Sequence, residues 1–271
     1  MHVRCAISPD ADDLFMFWAL LEGRIDTRGL AFDISSRDTD ALNRMASGDG
    51  PDVCAISIAH YPAVADRYRL LGHGGSVGRG YGPVLVAPGP GELCRVGVPG
   101  LSTTACLVLR LIMDFEPVVL PIVPPQRAFE ALRAGEVDAA LLIHEGRLTY
   151  AREGFVERLD IGTWWQRETG LPLPLGGNVI RRDLPADVLA TADAVLRESI
   201  THAMAHRDEA IDWLLARGGV LKARAEVDHY LSLYANADTV DYGEDGRAGI
   251  RELLRRGAAA GWIREVDVDF A

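Results

Sequence analysis

Short apolar runs alternate with amphipathic stretches along most of the chain. Val3–Ile7 has strand character, and Asp10–Leu21 is apolar on nearly every face, which predicts a buried helix. Ala31-Phe32-Asp33-Ile34-Ser35 alternates with period 2, the pattern of a half-buried strand. Thr39–Ala46 predicts a short helix, Val53–Ser57 a strand ending in a hydroxyl, His60–Arg67 a helix and Pro83–Ala87 a buried strand. Pro88-Gly89-Pro90-Gly91 then breaks the pattern. Beyond it come strands at Arg95–Val98, Val118–Val123 and Val137–Ile143, with helices at Ser102–Met113 and Gln126–Ala134. A second breaker-rich stretch, Leu171–Gly177, precedes a short strand at Asn178–Arg181. The remainder reads as helix over Pro185–Ala205, Asp208–Arg217, Ala223–Asn236 and Gly243–Ala260.

This βαβα alternation predicts an α/β fold with largely parallel sheets. The two breaker clusters bracket a unit of domain size. The expected division is a larger, discontinuous lobe of residues 1–88 plus 178–271 and a smaller inserted lobe of 92–174. The chain crosses twice between them, so a cleft is expected, and clefts between lobes are favoured ligand sites.

Composition narrows the class. The chain has 271 residues, 48% hydrophobic and 25% charged, which is ordinary for a globular protein. Its net charge of −11 argues against nucleic acid and against an anionic membrane surface as partners. The longest apolar run, Leu14–Leu21, is too short to span a bilayer. Cys5, Cys54, Cys94 and Cys106 lack metal-site spacing and lie in or beside apolar patterns, so buried free thiols are expected. Met1 running directly into a strand adds to the expectation of a cytoplasmic protein.

The candidate chemistry lies at strand ends. Ser8-Pro9-Asp10-Ala11-Asp12-Asp13 reads first as a helix start, with a capping hydroxyl and acids suited to the helix dipole. No further ligand cluster is spaced to make it a metal site. Ser102-Thr103-Thr104 opens another helix and suits an anion. The glycine-rich Gly74–Gly82 precedes a strand, so it reads as a loop and not as a dinucleotide fingerprint. His144 ends an apolar run, and its ordinary pKa of ~6.5 suits proton transfer, against the alternative of a histidine satisfied by its loop. His202 and His206 are four apart on a helix, with no third ligand evident. Trp164-Trp165 reads as core.

Several blocks in order carry a resemblance. They are Ser8-Pro9…Asp13…Phe15…Phe17, Thr39…Leu42-Asn43-Arg44, Gly78-Arg79-Gly80…Gly82-Pro83, Pro99-Gly100…Thr103-Thr104, Leu142-Ile143-His144-Glu145…Arg147…Thr149-Tyr150, and Trp164-Trp165…Thr169–Gly176. Together they resemble the 1,4-dihydroxy-6-naphthoate synthases of the futalosine route to menaquinone. The resemblance implies a two-lobed fold like that of the periplasmic solute-binding proteins, type II. It implies cleavage of cyclic dehypoxanthinylfutalosine, a small anionic substrate, with no metal or organic cofactor. His144 would accept the proton. Thr103 and Thr104 would hold the substrate from the smaller lobe, and Ala55, Ile56 and Ser57 from the larger. Ser8, Asp13 and Asn43, within the matching blocks, join the substrate-binding candidates.

The chain departs from the family pattern twice. Pro9-Asp10-Ala11-Asp12-Asp13 stands where better-known members resemble Pro-Cys-Pro-Asn-Asp. Ala55 stands where some carry a lysine able to pair with the substrate carboxylate. That task falls here to Arg79, to backbone N–H groups or to no residue. Two other readings share the fold: a non-catalytic solute-binding protein for small acids, and the sister chorismate dehydratases. The latter resemble Ile-Gly-Asp where this chain has Ile143-His144-Glu145.

Overall fold

The computed structural model describes residues 1–121 and 125–271, and within them eleven strands form two sheets. The first contains β1 (His2–Ile7), β2 (Ala31–Ser36), β3 (Val53–Ser57), β4 (Tyr68–Leu70), β5 (Ser76–Gly78) and β11 (Leu173–Arg181). Its order is β2-β1-β3-β11-β4, with β5 also paired to β11. The second contains β6 (Val84–Ala87), β7 (Arg95–Val98), β8 (Glu116–Val119), β9 (Ala139–Leu142) and β10 (Val156–Asp160), in the order β10-β6-β9-β7-β8.

Inner strands are the continuous apolar runs. Every residue of β3, β6 and β9 is buried, while the edge strand β2 is buried nowhere along its length. Strands covered on both faces need no polar alternation. The expectation of largely parallel sheets holds only for β1–β2, β1–β3, β7–β8 and β7–β9. β11 runs antiparallel to β3, β4 and β5, and β6 runs antiparallel to β9 and β10. These antiparallel strands follow or precede the crossings, where the chain enters a sheet from the other end.

The sheets also correct the division drawn from the breaker clusters. Val84–Ala87, placed with residues 1–88, hydrogen-bonds into the second sheet. Leu173–Gly177, read as a breaker, is the first half of β11 in the first sheet. Pro174 is tolerated there because the β5–β11 register is irregular between Pro174 and Gly176. His60–Arg67 is helical only over Tyr61–Val64, after a short 3₁₀ turn at Ile58–His60. The glycine-rich stretch carries β5 and is not a plain loop. The last residues of the strand expected at Val118–Val123 lie outside the described residues.

Helix Ala11–Leu21 is buried on most sides and packs against helix Ala186–Ala205 and the two helices that follow it. One apolar cluster continues through both sheets by way of helices Thr104–Ile112 and Gly243–Ala259. Trp165, fully buried on helix Ile161–Thr169, belongs to it and donates from Nε1 to the Pro172 carbonyl. Cys5, Cys54 and Cys106 are buried free thiols, but Cys94 is exposed. No helix among the described residues is long and apolar enough to cross a membrane.

The first chain crossing packs against the start of helix Ile161–Thr169, Gly82 on Gly162. A Cβ on Gly162 would overlap the Tyr81 carbonyl, a backbone group that cannot swing aside. We therefore expect Gly162→Ala to destabilise the protein by at least ~1–3 kcal/mol, the range for overpacking. Urea denaturation should show a lower midpoint with an unchanged slope; an unchanged midpoint would show that the backbone at Tyr81 and Gly162 can part without cost.

Candidate active site

The cleft between the sheets is built from strand ends. β1 ends at Ile7, and Ser8 and Asp10 follow before helix Ala11–Leu21 starts. β3 ends with Ala55, Ile56 and Ser57, opposite Asn178, Gly177 and Gly176 of β11. From the second sheet come Ile143 and His144, directly after β9, and Thr103 and Thr104 at the start of helix Thr104–Ile112. Tyr230 and Tyr234 close one side from helix Arg224–Tyr234. The pocket holds about 740 Å³ free of protein atoms, part of it open to solvent. That is the size of a small-molecule site. No lysine or arginine among the described residues lines it.

His144 is the centre of this arrangement. Its backbone is left-handed, with φ 50°, which for a residue other than glycine costs of order 1–3 kcal/mol and is a mark of functional sites. Its Nδ1 lies 2.6 Å from Asp10 Oδ2, and its Nε2 lies 3.3 Å from Thr39 Oγ1. Asp10 precedes the helix without accepting a hydrogen bond from it, so this side chain is no helix cap. Ser8 Oγ donates to the same Asp10 oxygen at 2.5 Å, and the Ser8 N–H donates to Asp13 at 2.6 Å. Asp12 accepts from Tyr230 at 2.8 Å and from Ser76 at 2.5 Å. Glu145 accepts the Ala11 N–H at 3.3 Å.

The electrostatics follow from burial. Burial alone would raise the Asp10 carboxyl, but the facing His144 imidazolium outweighs it and holds Asp10 below the usual range. For His144 burial works downward, and Asp10 more than offsets it, lifting the imidazole to about 10. Asp12 has no such partner, so burial and the neighbouring Asp10 charge push it well above the usual range. The same two causes push Asp13 up to about 7, and they raise Glu145. Asp10, Asp12 and His144 present atoms within 4.8 Å of one another, a spacing that could suit a metal ion. The Asp10–His144 pair is already in mutual contact, so a cation there would have to separate it.

Known proteins share this chain's sequence and shape. A family model described as menaquinone biosynthesis matches residues 3–259. A 1,4-dihydroxy-6-naphthoate synthase from Thermus thermophilus is 38% identical, covering 96% of this chain and 95% of that protein. One from Streptomyces coelicolor is 36% identical, covering 98% and 96%. The chain belongs to the 1,4-dihydroxy-6-naphthoate synthase family. It is therefore an enzyme of menaquinone biosynthesis, and its substrate is a small molecule. A crystal structure of a protein from Archaeoglobus fulgidus superposes with a TM-score of 0.90 at 42% identity, covering 97% of this chain and 98% of that one. The alkanesulfonate-binding protein of Xanthomonas axonopodis pv. citri superposes at 0.69 with 14% identity, covering 100% and 98%, which shows a shared two-lobed binding-protein fold.

Within this naphthoate synthase family member, Ser8, Asp13, Ala55, Ile56, Ser57, Thr103, Thr104 and His144 all line the cleft. Three expectations about them change. Both threonine hydroxyls are already engaged: Thr103 donates to the Gly100 carbonyl and accepts the Cys106 N–H, and Thr104 donates to the Leu175 carbonyl and accepts the Ala59 N–H. Asn43 is buried behind the pocket, where it accepts the Ser57 N–H and donates to Ser102 Oγ. Arg79 lies away from the lining, paired with Asp238 and Asp245. Sequence reasoning missed Tyr230, Tyr234 and Ser76 in the lining, and read Asp10 and Asp12 first as helix-start acids.

The raised Asp13 gives a stability prediction. In the unfolded chain it titrates near 3.8, and in the fold near 7. Between these values the folded protein keeps a proton that the unfolded chain has lost, so stability falls as pH rises through this window. Above it the whole cost of the buried carboxylate remains. Asn cannot ionise and still accepts the Ser8 N–H. We expect Asp13→Asn to raise Tm more at pH 8 than at pH 5; an equal change at both would show that Asp13 ionises normally in the fold.

Proposed function

We propose that the enzyme converts cyclic dehypoxanthinylfutalosine to 1,4-dihydroxy-6-naphthoate, with His144 as the proton acceptor. The observation that carries this is the placement of His144. It stands in strained backbone at the mouth of a strand, inside the cleft, with Nδ1 turned to Asp10. That leaves Nε2 as the nitrogen for the substrate proton. The substrate is a bicyclic ring joined through a spiro carbon to a ribose-derived ring. Loss of a proton lets the spiro carbon–carbon bond break, because the bicyclic part becomes aromatic, and the ribose-derived part is released as a separate fragment. Aromatisation drives the step. The protein supplies the base, the orientation and a site shielded from water.

The substrate carboxylate needs donors, and with Ala55 in place of a lysine they are backbone groups. The Thr104 and Ala105 N–H groups, in the first turn of helix Thr104–Ile112, carry no hydrogen bond among the described residues. They border the pocket, and a helix N-terminus favours an anion. We place the lobes with the sheets: residues 1–82 and 171–271 in the larger, 83–170 in the smaller.

His144→Asn tests the assignment. Turnover of the futalosine-derived substrate, followed by product absorbance, should fall by ~10²–10⁴, the usual contribution of a positioned base. Product binding, followed by calorimetry, should survive. A folded variant with near wild-type rate removes His144 as the base, and a wild-type enzyme that forms no product removes the substrate.

A further inference from the structure

We infer that Asp10 is a positioning residue for His144: a carboxylate on the larger lobe that reaches across the cleft to orient the imidazole carried by the smaller lobe and to set the pH at which it can accept a proton. The inference rests on reading His144 as the base, but the contact itself is independent of the substrate.

Three features of the geometry carry it. The partners come from different sheets, Asp10 after β1 and His144 after β9, so the pair exists only because the cleft walls meet there. The 2.6 Å separation is that of a close ion pair. The Asp10 side chain caps no backbone N–H of its own helix but faces the Asp12 carboxyl, and its second oxygen, Oδ1, is buried. His144 is thus the cation that Asp10 meets, and Ser8 Oγ donates to the same Asp10 oxygen. A carboxylate at Nδ1 holds the proton on that nitrogen and leaves Nε2 to accept one from substrate.

The groups facing His144 decide the consequence for pH. Asp12 and Asp13 approach from helix Ala11–Leu21, Glu145 from the segment of His144 itself, Tyr230 from the C-terminal helices and Thr39 from helix Thr39–Ser47. Burial biases Asp12, Asp13, Glu145 and Tyr230 towards their neutral forms. Asp10 is the carboxyl held ionised against the imidazolium. A base so paired is stronger, and it is freed only as pH rises.

The experiment compares wild type, Asp10→Asn and Asp10→Glu by two readouts. The first is the titration of His144 in the ligand-free protein by ¹⁵N NMR. We expect wild-type His144 to remain an imidazolium at pH 8 and Asp10→Asn to lower its midpoint by about 1–3 pH units, the scale set by one nearby opposite charge. Asp10→Glu should recover part of the shift. The second is the pH profile of kcat and KM. Wild-type activity should climb into the alkaline range. In Asp10→Asn the rising limb should move to lower pH and the alkaline kcat should drop about 10²-fold, with little change in KM. A general loss of structure would lower all pH values alike. The same His144 midpoint in folded Asp10→Asn and wild type overturns the inference. So does a neutral His144 in wild type at pH 7, which decides the matter even if Asp10→Asn fails to fold. If wild type does not turn over the futalosine-derived substrate, the proposed reaction falls and the titration still decides the role of Asp10.

Discussion

Taking a carboxylate out of water is costly unless a charge or several donors meet it, and this cleft buries Asp10, Asp12, Asp13 and Glu145 around a single imidazole. One imidazolium can balance one of them. The others are held by hydroxyl and backbone donors and shift towards the neutral form. Much of the local fold follows from this need for donors. β5 delivers Ser76, the turn after β1 delivers the Ser8 N–H, and helix Arg224–Tyr234 delivers Tyr230. The C-terminal helices, far from β1 in sequence, are therefore part of the site.

The same contacts tie the lobes together, in two ways of different strength. On the cleft side the ties are polar: His144 to Asp10, Glu145 to the Ala11 N–H, and Thr104 to Leu175 and Ala59. The neutral bonds among them can be exchanged for water at a small net cost, of order 0.5–1.5 kcal/mol each, and those to charged groups at about 1.5–3 kcal/mol. Behind the cleft the tie is apolar, where Leu253 and Leu254 of helix Gly243–Ala259 share a core with Leu107 and Val108 of helix Thr104–Ile112. Water offers no replacement for that contact. The polar side is thus the edge at which substrate entry is cheap, and the apolar side is the fixed edge.

The apolar runs made the inner strands legible, because β3, β6 and β9 are buried throughout and β1 and β7 over most of their length. The short or irregular strands were not. β4 and β5 have three residues each, and the glycines and proline at the start of β11 mimic a loop. Strand direction was also hidden, since an apolar run reads the same in a parallel or an antiparallel pairing. His144 was visible because a polar residue ends an apolar run. Asp10 looked like a local cap, and only its distant partner in the other sheet shows otherwise. Tyr230 and Tyr234, spaced four apart on a helix, carry nothing in the sequence that sets them apart from core, and they do pack there while also lining the cleft. The hydroxyls of Thr103 and Thr104 were legible as a helix start but not as already spent on backbone.

The remaining difficulty for an anionic substrate is the sign of the field. The chain carries −11, Arg79 is held by Asp238 and Asp245, and Arg147 is held by Asp160 and the Gly82 carbonyl. What the pocket offers an anion is one imidazolium and the N–H groups at the start of a nine-residue helix. A helix terminus contributes roughly 0.3–2 kcal/mol. A single ionised carboxylate ~4 Å away, at an effective dielectric of about 20, would oppose the anion by ~4 kcal/mol and overwhelm that gain. Burial that favours the neutral form of Asp12 therefore works in favour of the proposed substrate. Burial without a countercharge, which looks like a defect in an acidic cleft, is what makes the cleft tolerable to an anion: it turns neighbouring acids into neutral hydrogen-bonding groups and leaves Asp10 as the carboxylate cancelled by His144.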